Sequence, residues 1–466
     1  TTDLAPTPRV RHTMTFLTSF SDESCTALVS IYFVYGGRSS PDRGMHDAWL
    51  LCVVMTPRGR DAGTNVNTFL KAVQRGDATV SNSRVHARIS WIPLCDPFVM
   101  WQPTSNRSDR LLLGESRAPT GRWGHSATLV PKSSSASSSN TKSYVWIYGG
   151  RDAERVLSDA FCFALHTPET LRDVEDPARW RARIKAADCI LLPHHYPRAP
   201  PVGRFSHTAS YAGRNEKNGS LMIVLVGGCR TLGGEGQVER EGDEDNQEGE
   251  ITDTVTTLLV DHPDAVELGS TTVRWEDVRQ ASFSSSSSPP LSMRSLQRYS
   301  HAAITVASGK ILVVGGILTP TRKRKYYGSS TSNVGILAGA GVVVDIATGT
   351  LSSVPISSMP DTTLLCRHKM IATFTKEIGR EHRHKKSAAS HIGYFSRDLA
   401  IWCVGGGSEV LSFGGCFSEP SVLRCRVTFA GPFVEVSEEQ RARGFVGGAA
   451  ASGLKLCAVY GSQPKN

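Results

Sequence analysis

The stretches RVRHTMTF (residues 9–16) and IYFVYGGRSSPDRGMHDAWLL (31–51) decide the fold. They set an Arg-x-x-His opening ahead of an apolar run, a Gly-Gly pair and then an Asp-Ala-Trp. One reading makes His12 a catalytic base. The other makes the whole stretch a building block that recurs, and repeats are the first thing to seek because missing them miscasts the fold.

The pattern returns. RWGH at 122–125 leads to YVWIYGG ending at Gly150, RFSH at 204–207 to LMIVLVGG ending at Gly228, and RYSH at 298–301 to KILVVGG ending at Gly316. A weaker copy, LCRH at 365–368, leads to LAIWCVGGG with Gly405, Gly406 and Gly407. Asp47-Ala48-Trp49 follows the first Gly pair and Asp159-Ala160-Phe161 the second. A lone Trp then closes several units: Trp91 or Trp101, Trp180 and Trp275.

Each unit thus reads as four short strands, rich in β-branched and aromatic residues and bounded by turn residues. One such antiparallel blade cannot bury both faces alone, so several must pack about an axis as a β-propeller. The glycine pairs Gly36-Gly37, Gly149-Gly150, Gly227-Gly228 and Gly315-Gly316 suit strand ends where a side chain would strike the next blade. Only about residues 168–187 read as helical. The expected fold is all-β, with blades starting near 9, 122, 204, 298 and 365. The tail 420–466, with VLRCRVTF and LKLCAVYG, is the candidate sixth blade of a single domain over 1–466.

These units look like kelch repeats. GGRSSP at 36–41 and CVGGGSEVLSFG at 403–414, beside RHTMT and GRWGHSATL, narrow the likeness. Over Arg9–Phe417, with interruptions, the chain resembles the kelch propeller of the tRNA wybutosine-synthesising protein 4 family, which is leucine-carboxyl-methyltransferase-like. The resemblance implies a parent in which an S-adenosylmethionine-dependent methyltransferase domain modifies tRNA while the propeller packs against it. This chain carries no convincing methyltransferase half and no initiator Met. The expectation is a non-catalytic part, with S-adenosylmethionine bound in the domain it lacks and tRNA as a shared partner. A generic kelch interaction module is the rival, and a galactose-oxidase-like enzyme the third reading.

Bulk properties fit. The 466 residues are 39% hydrophobic and 20% charged, ordinary for a globular protein. No apolar run is long enough for a membrane-spanning helix, and the start has no secretory signal pattern. The 11 Cys are odd in number, and none forms a C-x-x-C pair, so a reducing, cytoplasmic setting is expected. Against a net charge of +9, Thr231–Glu250 holds eight acids and one Arg, leaving +16 on the rest. A basic body is compatible with nucleic acid. Low-complexity insertions account for uneven spacing: 133–140, 233–250, 282–288, 321–327 and 379–393.

The chemical readings then thin out. His12, His125, His207, His301 and His368 occupy one place in successive repeats, and a ring of such places cannot converge on one ion. A structural bond at each blade corner is the preferred reading. His194-His195 and His382/His384 lack carboxylate or Cys partners, so no metal ligand, cofactor site or catalytic residue is assigned. GILAGAGVVVD (335–345) has its glycines ahead of a β-branched run rather than at a helix start, and reads as the third strand of the fourth unit. Arg38, Arg151 and Arg230 follow or nearly follow Gly pairs and should share one face. There they could meet phosphates, or bond to carbonyls or to Asp47 and Asp159.

Overall fold

A computed structural model describes residues 5–40, 43–58, 65–66, 84–94, 119–130, 142–183, 188–191, 194–195, 203–215, 218–230, 250–251, 254–261, 272–278, 296–307, 309–318, 340–355, 369–374, 397–404 and 422–429. The five insertions lie outside these residues (Glu250 apart), as do Pro41, Trp101, His368, His382, His384, Gly405, Gly406, the 405–414 glycine run and 430–466.

The chain is mostly β. The first sheet has the order β1 (Thr13–Ser21), β2 (Leu28–Tyr35), β3 (Ala48–Arg58) and β4 (Arg84–Pro93), all antiparallel. The second repeats it with β5 (Ser126–Val130), β6 (Lys142–Tyr148), β7 (Ala160–His166) and β8 (Asp188–Leu191). β9 (His194–His195) crosses to the third sheet and lies parallel to its outer strand. That sheet runs β10 (Thr208–Arg214), β11 (Leu221–Val226), β14 (Val255–Asp261) and β15 (Thr272–Asp277), with β12 (Cys229–Arg230) and β13 (Glu250–Ile251) forming a small ladder between β11 and β14 in the chain. The short pair β16 (Arg298–Tyr299) and β19 (Ile317–Leu318) flanks a fourth sheet of β17 (Ala302–Ala307), β18 (Lys310–Val314), β20 (Ala340–Asp345) and β21 (Thr350–Pro355). β22 (Lys369–Phe374), β23 (Arg397–Val404) and β24 (Val422–Phe429) form a three-stranded fifth sheet.

The third-strand reading of the GAGVVVD stretch holds, since β20 pairs with β18. One expectation is corrected. Val422–Phe429 does not open a sixth unit: it pairs along its whole length with β23, from Val404↔Val422 to Arg397↔Phe429, as the third strand of the fifth. Its unit lacks the Asp-Ala-aromatic mark of β3 and β7, so its membership was hidden. Trp180 falls within the stretch 168–187 that reads as helical. It lies on the helix Pro177–Arg183, after a helical turn Leu171–Glu175 whose Thr170–Asp173 capping box satisfies two orphan backbone donors.

Alternation along the second strands explains the packing. On β6, Val145 and Ile147 join Ile31, Phe33 and Tyr35 of the first sheet, with Trp180 covering that core. Trp146 and Tyr148 turn the other way, towards Ile223, Leu225 and Trp275. On β11, Val224 and Val226 in turn meet Ile311 and Val313. Both faces of these strands are covered, which is why LVSIYFVY is buried at every position and reads as a continuous apolar run. The first strands follow one another: β1 contacts β5, β5 contacts β10, β10 contacts β17 and β17 contacts β22.

Candidate functional site

The Arg-x-x-His segments and the Gly-Gly pairs of the first four units meet at one end of their sheets, and the four motif positions do four different things. The first position is a buried arginine. Arg9 donates from Nη1 to Asp47 Oδ1 at 2.5 Å and from Nη2 to Oδ2 at 2.7 Å, and also to the Gly36 carbonyl at 3.1 Å. Arg122 repeats the fork on Asp159 at 2.6 and 2.9 Å, with the Gly149 carbonyl at 3.1 Å. Such two-pronged pairs are strong and fix geometry. Burial pushes the Asp47 carboxyl up, but the hydrogen bonds from Arg9 and from the Trp49 indole outweigh it and hold it below its ordinary value.

The second position pairs with the residue after the glycines: Val10↔Arg38, Trp123↔Arg151, Phe205↔Cys229 and Tyr299↔Ile317. Arg38 and Arg151 therefore come together, but around an aromatic ring rather than on Asp47 and Asp159. The Arg38 guanidinium lies 5.4 Å from the Trp123 ring centre, and that of Arg151 lies 5.5 Å from Trp123 and 5.4 Å from Phe205. Arg230 falls one residue later, on β12 opposite Glu250, because Cys229 holds the register place of Arg38 and Arg151. Burial pushes the Cys229 thiol up to about 12, with Arg11 pulling the other way. Cys52 is likewise pushed up to about 12 by burial. Neither is a ready thiolate.

The third position was not singled out by the sequence. Arg11, Gly124, Ser206 and Ser300 all have φ between 55° and 64°, a conformation uncommon outside glycine. Their backbones form a string across the units. Gly124 N–H donates to the Arg11 carbonyl at 3.1 Å, Ser206 N–H to Gly124 at 2.6 Å, and Ser300 N–H to Ser206 at 2.9 Å. Small residues at three of the four places were the available signal.

The fourth position is the histidine, and it bonds to the neighbouring unit. His125 Nε2 is 2.9 Å from Thr13 Oγ1, His207 Nε2 is 2.9 Å from Ser126 Oγ, and His301 Nε2 is 2.8 Å from Thr208 Oγ1. The hydroxyl is always the residue after the preceding unit's histidine. His207 is held well below its ordinary range by burial, and then by the charges of Arg204, His301 and His125. The expected corner bond is present in these three, with a partner in the next unit along. Among the described residues no group of three or more His, Cys, Asp or Glu could hold a metal ion.

Gly149-Gly150 shows why the pair is glycine. Both have positive φ, at 62° and 92°. A Cβ on Gly149 would lie 2.5 Å from the Arg204 carbonyl of the next unit, and one on Gly150 would lie 2.8 Å from its own unit's His125 Cβ. The Gly150 N–H meanwhile donates to the Arg204 carbonyl at 2.9 Å.

Among the described residues no helix is long and apolar enough to cross a membrane. Comparison with protein-family models and with curated protein sequences finds no match.

Proposed function

We propose that this chain is a kelch-type propeller that scaffolds an S-adenosylmethionine-dependent methyltransferase domain of the tRNA wybutosine-synthesising kind and helps hold tRNA. Successive four-stranded sheets with one repeated corner geometry, whose first strands contact in chain order, support the propeller reading. The observation that carries the tRNA role is the ladder Arg38–Trp123–Arg151–Phe205, a row of cations and rings on the Gly-Gly end of a basic chain. Guanidinium groups on a shared face suit phosphates.

Filter binding of bulk tRNA across a sodium chloride series tests the reading. Binding should weaken linearly on logarithmic axes, and R38Q and R151Q should each lower the slope by about one. Binding that is absent or indifferent to salt, even with a methyltransferase domain joined to the chain, overturns it. The rival is a protein-interaction module. It draws on the stacking of Arg38 and Arg151 against aromatic rings, which occupies their flat faces structurally.

A further inference from the structure

The turn between β10 and β11 ends in Asn218-Gly219-Ser220, and Asn218 is the one asparagine of the sequence that a glycine follows. The turn itself asks for this pair. Gly219 has φ 73°, a conformation that strains a residue with a side chain, although a Cβ there would meet nothing within 4 Å. Asn218 folds its side chain over the next peptide, its Oδ1 accepting from the Ser220 N–H at 3.1 Å. Asparagine and glycine are favoured in turns for these two reasons. Further bonds close the turn. The Asn215 N–H donates to the Ser220 carbonyl and the Gly219 N–H to the Asn215 carbonyl, both at 2.8 Å, and Arg214 Nη1 to the Gly219 carbonyl at 3.0 Å. Asn218 and Gly219 are exposed.

The same arrangement suits an acyl transfer within the chain. The Asn218 side-chain amide carbon, Cγ, and the Gly219 nitrogen can close a five-membered imide, and Gly219 has no Cβ to shield that nitrogen. As the nitrogen adds to Cγ, negative charge grows on Oδ1, where the Ser220 N–H already points. A donor in place before the reaction lowers its barrier. Asn215 and Asn65 precede Glu216 and Val66, whose side chains crowd the attacking nitrogen. What opposes the reaction at Asn218 is the bond from the Gly219 N–H to Asn215. That bond lies in an exposed turn, the kind of place that opens locally while the rest of the fold stays intact.

We infer that Asn218 is a self-modification site, at which the folded chain loses ammonia through a succinimide and turns Asn218 into aspartate or isoaspartate. Hydroxide takes the Gly219 amide proton, and the nitrogen adds to Cγ. The Cγ–Nδ2 bond then breaks, and Nδ2 leaves as ammonia with a proton from water. Water next adds to either imide carbonyl and opens the ring. Water is consumed and ammonia released, with no change of oxidation state. Either product puts a new carboxylate in the turn, in the residue before the one whose carbonyl Arg214 holds. Opening at the main-chain carbonyl gives isoaspartate, which lengthens the backbone by a carbon and disturbs the paired bonds that Asn215 makes to Gly219 and Ser220. The site goes beyond the scaffold reading and does not depend on it.

The test keeps the full chain and an end-blocked peptide of residues 217–222 side by side in mildly alkaline buffer. Ammonia release is followed, and peptide mapping by mass spectrometry locates the change of amide to acid. Asn218 should convert in the folded chain over the time the peptide needs, as a mixture of aspartate and isoaspartate, while Asn65 and Asn215 stay intact. Asn218→Gln, which would have to close a larger ring, should lose the ammonia release over that time. Mapping of the wild-type chain decides the matter by itself should that variant fail to fold. An Asn218 that stays intact in the folded chain while the peptide converts overturns the inference. So does an Asn218→Gln chain that releases ammonia as fast as wild type.

Discussion

The second and third units share a backbone and differ in charge. Gly150 and Gly228 each donate to the motif arginine carbonyl of the following unit at 2.9 Å. Their φ pairs are 62° and 92° against 59° and 102°. His207 and His301 each reach a hydroxyl one unit back, at 2.9 and 2.8 Å. Yet Arg122 is forked on Asp159, whereas Arg204 is surrounded by hydroxyls and carbonyls. The path of the chain is thus set by left-handed glycines and unit-to-unit backbone bonds. Neutralising the buried arginine is a separate layer, fitted in one unit and left open in the other.

If the backbone layer is common, breaking it must cost the same in both units. An alanine at Gly149 would carry a left-handed residue and press on the Arg204 carbonyl; at Gly227 it would press on the Arg298 carbonyl in the same way. A left-handed non-glycine residue costs about 1–2 kcal/mol, and overpacking adds about 1–3 kcal/mol. G149A and G227A should therefore each lose about 2–5 kcal/mol in urea unfolding and agree within about 1 kcal/mol. A large gap between them would mean that the two corners are not equivalent.

The charge layer should separate the units. Asp159→Asn strips the counter-charge from Arg122, which has no exposed side-chain surface. Breaking a buried pair costs about 3–5 kcal/mol, and Asp159 being 35% exposed puts the expected loss near the low end, at about 3 kcal/mol. Thr254→Val removes a hydroxyl and no charge, and should cost about 1 kcal/mol. Equal losses in urea unfolding would erase the distinction.

Residues that act within one short motif were legible, and those that act through topology were not. Arg-x-x-His and Gly-Gly can be read because a tight corner repeats its demands at fixed spacing. The Asp-Ala-aromatic mark likewise announced β3 and β7. That Asp47 belongs to Arg9 rather than Arg38 could not be read, because the first strand's start is brought beside the third strand's start only by pairing through β2. The hydroxyls on His125 and His207 were hidden for the same reason: Thr13 and Ser126 belong to the preceding unit. β24 escaped because its unit lacks the third-strand mark. The different surroundings of Arg204 showed in the sequence only as a Thr at 254 where two sister units have Asp.

His207 joins the two units, carried by the third and bonded to Ser126 of the second, so its titration tests the contact between them. Burial and the neighbouring positive charge of Arg204 keep it neutral in the folded chain, well below its ordinary 6.5. The unfolded chain takes up a proton on this ring as pH falls through about 6.5, and the folded chain does not. Below that pH the unfolded state therefore binds more protons, and stability falls with falling pH by at most about 1.4 kcal/mol per pH unit for one ring. His207→Gln, which retains a polar group facing Ser126, should flatten the stability profile between pH 6.5 and 5 by up to about 2 kcal/mol. The measurement is urea unfolding of both proteins at several pH values, and the quantity is the difference in slope, since other histidines contribute equally to each. An unchanged slope would mean that His207 can take its proton in place. The contact between the second and third units would then tolerate a charge at its centre, and the neutral His–Ser bond would not be what holds them together.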